Sequence, residues 1–533
     1  MYKNIKYLIL LSVILVSNIC YTQKIGSSIE KAVSKDRIIL ADVQDIKGRF
    51  NTMFKECVGA GRANEGLRAD WQQQLTFVKK ECGFKYIRMH GLLTDDMGVY
   101  KEDKKGNPQY NWQYIDKLYD FLLSIDMKPF VELSFMPVAL ASGQQTIFWW
   151  KGNVTPPKDY KKWEDLIFNL TKHFTERYSE KEVASWYFEV WNEPNLSGFF
   201  TGSQDEYFKL YDITVKAIKS VSPQYKVGGP ATAGSGWISE MIEHCNKNNI
   251  PIDYIATHCY GVKQGYLDEF GESGTILDSN PGSIYTEIKN TRKIISNSPI
   301  PKLELHYTEW SSSYTPFDPI HDSYHEASYI LDKIKGVGNA TNSMSYWVFT
   351  DIFEEPGPRF TPFHGGFGLI NLQSINKPAF YSYQFLNKLG EIEINNSDSA
   401  SWICKNAKGD IQLLFWNFTI THPGDSVNNQ VYYKRDLPSK NIGKVKIELK
   451  NVSAGNYKLL VYKVGYKVND SFTTYLQLGS PNQFTKEQVE FLKKKNDGSP
   501  IFSSEIEIMS GKPFIRDFEM RENDVYFIEL DKK

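Results

Sequence analysis

The chain is 533 residues long, enough for a barrel and a further domain, and its 62 basic and 63 acidic residues leave a formal net charge of −1. That balance removes the electrostatic case for nucleic acid or an anionic membrane as a partner. Aromatic residues are abundant (32 Tyr, 32 Phe and 12 Trp), which suits a large core and also a site that stacks flat, partly apolar rings.

Residues 1–22 read as a secretory signal. Lys3 and Lys6 supply the positive start, Tyr7 to Val16 forms an apolar run too short to span a bilayer, and the small residues Cys20 and Thr22 precede a cut before Gln23. Export to the periplasm or the exterior is expected. A lipid anchor at Cys20 is the weaker alternative, because Ile19 is bulky where such sites take small residues. Five cysteines follow (Cys57, Cys82, Cys245, Cys259 and Cys404), an odd set without CxxC spacing, which allows one disulfide but neither a disulfide scaffold nor a structural zinc site. Within 23–53, Arg37–Asp42 (RIILAD) is expected to add a strand to a later β-sandwich.

From 54 to 390 short apolar runs alternate with amphipathic stretches. The expected strands are Glu56–Gly59, Lys85–His90, Lys128–Ser134, Ser185–Trp191, Lys226–Gly229, Tyr254–His258, Lys302–Glu309 and Met344–Thr350. Helical stretches lie near Trp71–Cys82, Tyr114–Ile125, Tyr160–Tyr178, Gln204–Val221, Trp237–Asn248, Ser283–Ser296, Ser323–Lys335 and Ala379–Leu389. Eight such units predict an α/β fold, a closed (β/α)8 barrel, and the continuously apolar strands suit a sheet covered on both faces. After Gly390, short runs separated by Gly, Asn, Asp and Pro predict an accessory all-β sandwich over 391–533. Thr419–Asn441 is long for a sandwich loop, and Lys493-Lys494-Lys495 reads as a solvated loop.

Two glutamates stand at the ends of expected strands four and seven: Glu193 in Trp-Asn-Glu-Pro and Glu309 in Tyr-Thr-Glu-Trp. In a barrel, chemistry sits at the C-terminal ends of strands, and strands four and seven face each other across the mouth. Two carboxylates in aromatic frames are what cleavage of a glycosidic bond requires, one kept protonated for the leaving oxygen and one kept ionised. His321 and His325 are four apart, yet no third ligand accompanies them, and Gly59, Gly61 and Gly66 give GxGxxxxG rather than a dinucleotide loop. No metal or organic cofactor is expected.

With Cys57–Arg62 (CVGAGR), Tyr86–Gly91 (YIRMHG), Glu132–Pro137 (ELSFMP), Gly228-Gly229-Pro230, Thr257–Tyr260 (THCY) and Asp351–Leu369 (DIFEEPGPRFTPFHGGFGL), the chain resembles glycoside hydrolase family 39 over roughly 54–390, most of all its β-xylosidases. The resemblance implies a retaining exo-glycosidase with Glu193 as acid/base and Glu309 as nucleophile. It also implies that Arg88 keeps Glu309 ionised and that Tyr260 donates to Glu309 or contacts sugar. His90, Asn192 and His258 would contact hydroxyls, Trp347 would floor the site, Glu354 and Glu355 would bind sugar hydroxyls, and Phe363 would wall the site. A terminal β-D-xyloside is the expected substrate, with α-L-arabinopyranosides and α-L-iduronides as alternatives in the same family. A non-catalytic glycan-binding protein is the alternative of another class. The aromatic-bearing loops also leave self-association open.

Overall fold

The computed structural model describes residues 36–267 and 273–533, so the expected signal segment and Cys20 lie outside the described residues. Eight parallel strands close into a barrel: Cys57–Arg62, Tyr86–His90, Lys128–Leu133, Tyr187–Val190, Lys226–Thr232, Tyr254–Tyr260, Glu304–Ser311 and Ser343–Tyr346. Their residues are buried almost throughout, because helices cover the outer face and side chains fill the inner one.

The helices fall where the periodicity places them, and their ends have local causes. Asp159 accepts from the backbone N–H of Lys161 at 2.9 Å and so opens Tyr160–Tyr178. Gly83, at φ 76°, closes Ala69–Cys82 in the left-handed conformation that glycine adopts without steric conflict. The eighth strand ends at Tyr346 rather than at Thr350. Trp347 to Thr350 stay buried, and Thr350 instead bridges Ile370 at the end of the strand-eight loop.

The second layer pair is a β-sandwich. A seven-stranded sheet faces a three-stranded one across a core that includes Ile39, Ile403, Phe415, Ile447, Leu459 and Ile528. Arg37–Asp42 pairs in parallel with Asn441–Lys450, and Ile46–Arg49 pairs with Ile392–Ile394, so the segment before the barrel supplies two strands, not one. The sandwich region is also not all-β. Helices Ser471–Gln477 and Lys486–Lys495 interrupt it. The lysine triplet is therefore no loop: it forms the last turn of a helix that opens on a Thr485/Gln488 capping box, where cations meet the negative end of the helix dipole.

The long segment 419–441 contains a short helix, Asn429–Tyr432, and grips the barrel. Asn429 donates to Asp318 at 2.7 Å, and Asp425 pairs with Lys263 at 2.8 Å. Barrel and sandwich belong to one compact unit, Asp36–Lys533. Cys57, Cys82, Cys245, Cys259 and Cys404 are all buried and free, so the disulfide that their number allows does not form. His321 and His325 are satisfied core histidines: His321 reaches Ser311 and the Gly365 carbonyl, and His325 reaches Ser323 and Thr421. Among the described residues no helix is long and apolar enough to cross a membrane.

Candidate active site

The C-terminal ends of the strands surround a cavity of about 650 Å³, lined by His90, Asn192, Glu193, Tyr260, Glu309, Trp347 and Glu355. Strand four delivers Glu193 through a tight turn in which Trp191 (φ 71°) and Glu193 (φ 44°) both occupy the left-handed region. Non-glycine residues rarely hold that conformation, and two of them flanking one asparagine concentrate backbone strain at a single point. Neighbours fix the turn: the Glu193 N–H donates to the Ala231 carbonyl at 2.8 Å, and the Trp191 indole donates to the Phe199 carbonyl at 2.8 Å. Strand seven delivers Glu309 opposite His258, just past a register shift in the strand pairing that re-aims both side chains.

One oxygen of Glu193, one of Glu309 and a ring nitrogen of His258 all lie within 4.8 Å of one another. That proximity matches the close carboxyl pair of double displacement rather than the wider pair of single displacement.

Arg88 is the hub beneath them and is fully buried. It donates to Glu309 Oε1 at 2.7 Å, to Glu189 Oε2 at 2.5 Å and to Asn192 Oδ1 at 2.9 Å, and it lies 2.9 Å from Glu132 Oε2. A buried guanidinium needs such partners, because an unpaired charge in the interior is very costly. Tyr260 donates to the other oxygen of Glu309 at 2.6 Å. With its Oδ1 taken by Arg88, Asn192 keeps its amide N–H groups for the cavity.

The environments of the carboxyls divide their roles. Burial raises the Glu193 carboxyl to about 7, with His90 and Arg88 pulling the other way. Glu309, in contrast, accepts hydrogen bonds from a guanidinium and a phenol. Burial opposes a charge on His90, but Glu132, 2.7 Å from its Nδ1, together with Glu355 and Glu309, lifts the ring to about 10. Burial likewise opposes ionising Glu132, but Arg88 and His90 hold its carboxyl below the ordinary range. His258, at 2.9 Å from Glu193, is driven down to about 3 by burial and stays neutral.

Trp347 lies 4.7 Å from the His90 ring, centroid to centroid, and forms a cavity wall. A Cβ on Gly59 would stand 2.5 Å from its indole, so only glycine fits beneath that ring. Glu355 lines the cavity 3.4 Å from His90 Nε2, and burial raises its carboxyl to about 7.

Two expectations fail. Glu354 turns away from the cavity and pairs with Arg62 at 2.7 Å and Arg68 at 3.3 Å. Phe363 does not wall the site: the strand-eight loop carries it to a separate cluster with Phe472 and Tyr475. Other residues were missed. Glu132 and Glu189 complete the Arg88 network, and their signal was a charged residue inside an apolar strand, which must have a buried partner. Phe148, Leu196, Phe199, Lys263 and Tyr314 line the outer cavity from loops whose course the sequence pattern does not show.

Residues 37–504 match the family described as Glycosyl hydrolases family 39. The chain is 42% identical over 390 residues to a β-xylosidase of Geobacillus stearothermophilus, covering 72% of this chain and 77% of that protein. It is 39% identical over 455 residues to a β-xylosidase of Caldicellulosiruptor saccharolyticus, covering 84% and 89%. Among solved structures, the monomeric β-xylosidase from Caulobacter crescentus CB15 superposes with a TM-score of 0.90 at 39% identity, covering 93% of this chain and 99% of that one.

Proposed function

Because the chain belongs to the glycosyl hydrolases of family 39, we infer that it is a retaining, exo-acting β-xylosidase that removes terminal β-D-xylose from xylo-oligosaccharides or related plant glycans. The observation that carries the mechanism is the division between two carboxyls within 4.8 Å of each other: Glu193 pushed up to about 7, Glu309 gripped by Arg88 and Tyr260.

In the first step Glu193 gives its proton to the glycosidic oxygen while Glu309 attacks the anomeric carbon; the C–O bond to the leaving group breaks and a glycosyl ester forms. In the second, ionised Glu193 takes a proton from water, the water oxygen attacks the same carbon, and Glu309 leaves as carboxylate. Two inversions give net retention.

A neutral sugar is favoured over a uronide because each cation beside the cavity already has a carboxylate partner. Arg88 and His90 hold Glu309 and Glu132, and Lys263 pairs with Asp425. A panel of aryl glycosides tests this reading. The β-D-xyloside should be the best substrate, and preference for the α-L-iduronide or α-L-arabinopyranoside, or no turnover of any, would overturn it.

Export rests on the pattern of residues 1–22. A mature N-terminus at Gln23 in the exported fraction supports it, and acylation of Cys20 would replace cleavage with anchoring. Self-association is read from the elution mass of the purified chain.

A further inference from the structure

A second cavity of about 550 Å³ is lined in part by the strand-seven and strand-eight loops that also reach the active site. The 428–434 and 472–482 segments supply the rest of its lining. The strand-seven loop places Tyr314 on the active-site cavity and Phe317 on the second, and the strand-eight loop likewise contributes Glu355 to the first and Arg359 to the second. Tyr314 and Phe317 are close enough in sequence that their Cα atoms stand at most about 11 Å apart.

Its walls are aromatic. Phe363, Phe472 and Tyr475 are each no more than 5% exposed and pack against one another, while Phe317 lies under the Arg359 guanidinium at 5.8 Å. Its charge is positive. Arg359 is half-buried, and among the described residues it has neither a carboxylate within ion-pair distance nor a hydrogen-bond acceptor. Burial, opposed only by the more distant Asp351, holds it below the ordinary range of arginine. Lys434 stands at the rim, likewise unpaired. The one carboxylate of the wall, Asp322, is fully buried and already held by Lys377 at 2.6 Å. A partly desolvated, unpaired guanidinium over aromatic faces is a receptor for a planar carboxylate on a ring.

We propose that this cavity binds a carboxylated sugar, a uronic acid carried as a branch on the glycan whose terminal neutral sugar occupies the active site. The contrast between the cavities supports this: cations around the reacting sugar are neutralised by protein carboxylates, and Arg359 in the second cavity is not. The proposal rests on the glycosidase reading above.

Binding is read by isothermal titration of the Glu309→Gln variant, which leaves ligand intact, with a glucuronate-decorated xylo-oligosaccharide and its undecorated counterpart. The decorated ligand should bind about tenfold more tightly at low salt, a charge-assisted pair being worth that much. Adding Arg359→Ala should reduce the preference below about twofold, Arg359→Lys should retain part of it, and Lys434→Ala should weaken it less, as expected for a rim charge. Equal affinity for the two ligands, or a preference that survives Arg359→Ala, overturns the proposal. Turnover of aryl xylosides without the preference sinks this proposal alone. Absence of turnover sinks the glycosidase reading, and the ligand comparison still decides this one.

Discussion

Arg88 donates to Oε1 of Glu309 at 2.7 Å from a position with no solvent contact at all. The contact does two things at once. It pairs the carboxylate with a buried positive charge, and it fixes that carboxylate relative to Asn192, which Arg88 also holds. Glu309, proposed as the nucleophile, and Asn192, the chain neighbour of the proposed proton donor Glu193, are thereby tied to one rigid group, as preorganised catalysis requires.

Replacing Glu309 by alanine should lower turnover by several orders of magnitude while leaving the fold intact, since Arg88 keeps Glu132 and Glu189 as partners. Azide should restore part of the activity by entering the vacated space and attacking from the face that Glu309 uses, giving the α-glycosyl azide from a β-glycoside. Product configuration by NMR checks this; a β-azide, or substantial activity without azide, would show that another group is the nucleophile.

The rate should fall on the alkaline side. Glu193 must carry a proton in the first step and holds it up to about 7, so kcat/KM should decline as pH rises through that value. Glu189 and Glu355 also titrate near 7, so the limb belongs to a coupled set until a variant isolates it. Glu193→Gln should abolish the limb for aryl glycosides with acidic leaving groups. It should slow alkyl glycosides more, by about 10²- to 10⁴-fold, the usual worth of general acid catalysis. An unchanged limb in Glu193→Gln would assign it to another carboxyl.

Gly59 should prove as sensitive as a contact residue although it has no side chain. A methyl group there meets Trp347 at 2.5 Å and the Tyr346 carbonyl at 3.1 Å. Gly59→Ala should therefore destabilise the protein by about 1–3 kcal/mol and displace the indole from the cavity wall, a shift that can cost up to about 10²-fold in kcat/KM. Adding Trp347→Phe should recover stability without recovering activity. Thermal melts and kinetics on the pair separate packing from sugar contact; full activity in Gly59→Ala would remove Trp347 from the site.

The barrel was legible because each unit repeats one pattern: an apolar strand ending in a polar or aromatic residue, then an amphipathic helix. Glu193 and Glu309 stood out for the same reason. What stayed hidden depends on loop geometry. Glu354 and Glu355 are adjacent and chemically identical, and only the folded loop decides that one meets Arg62 and the other His90. Phe363 lies in the same loop but past the bend that leads to the sandwich. Glu132 and Glu189 were readable in principle, as charges inside apolar strands, but their partner Arg88 is set by strand neighbours rather than by sequence distance. The helix Lys486–Lys495 carried a capping box, and its charged surface masked it as a loop.

Stability should also depend on pH through a group outside the active site. Glu326 is fully buried in the helix His325–Val337; its Oε1 accepts from Tyr346, and burial raises its carboxyl to about 8. The unfolded chain ionises this group near the ordinary 4.5, while the folded chain keeps it protonated. Its contribution is therefore complete below about 4.5 and lost progressively as pH rises through about 8. Glu326→Gln keeps the shape and the acceptor for Tyr346 without the ionisation. Compared with the native chain, the variant should be equal or slightly weaker at pH about 4 and more stable at pH about 9 by a few kcal/mol. Other buried carboxyls, Glu65 and Glu193 among them, lose stability with the same sign, so the comparison must be made between the two proteins at each pH rather than along one curve. Urea unfolding at the two pH values measures the difference; a gap that does not widen with pH would mean that Glu326 ionises in the folded protein as it does in water.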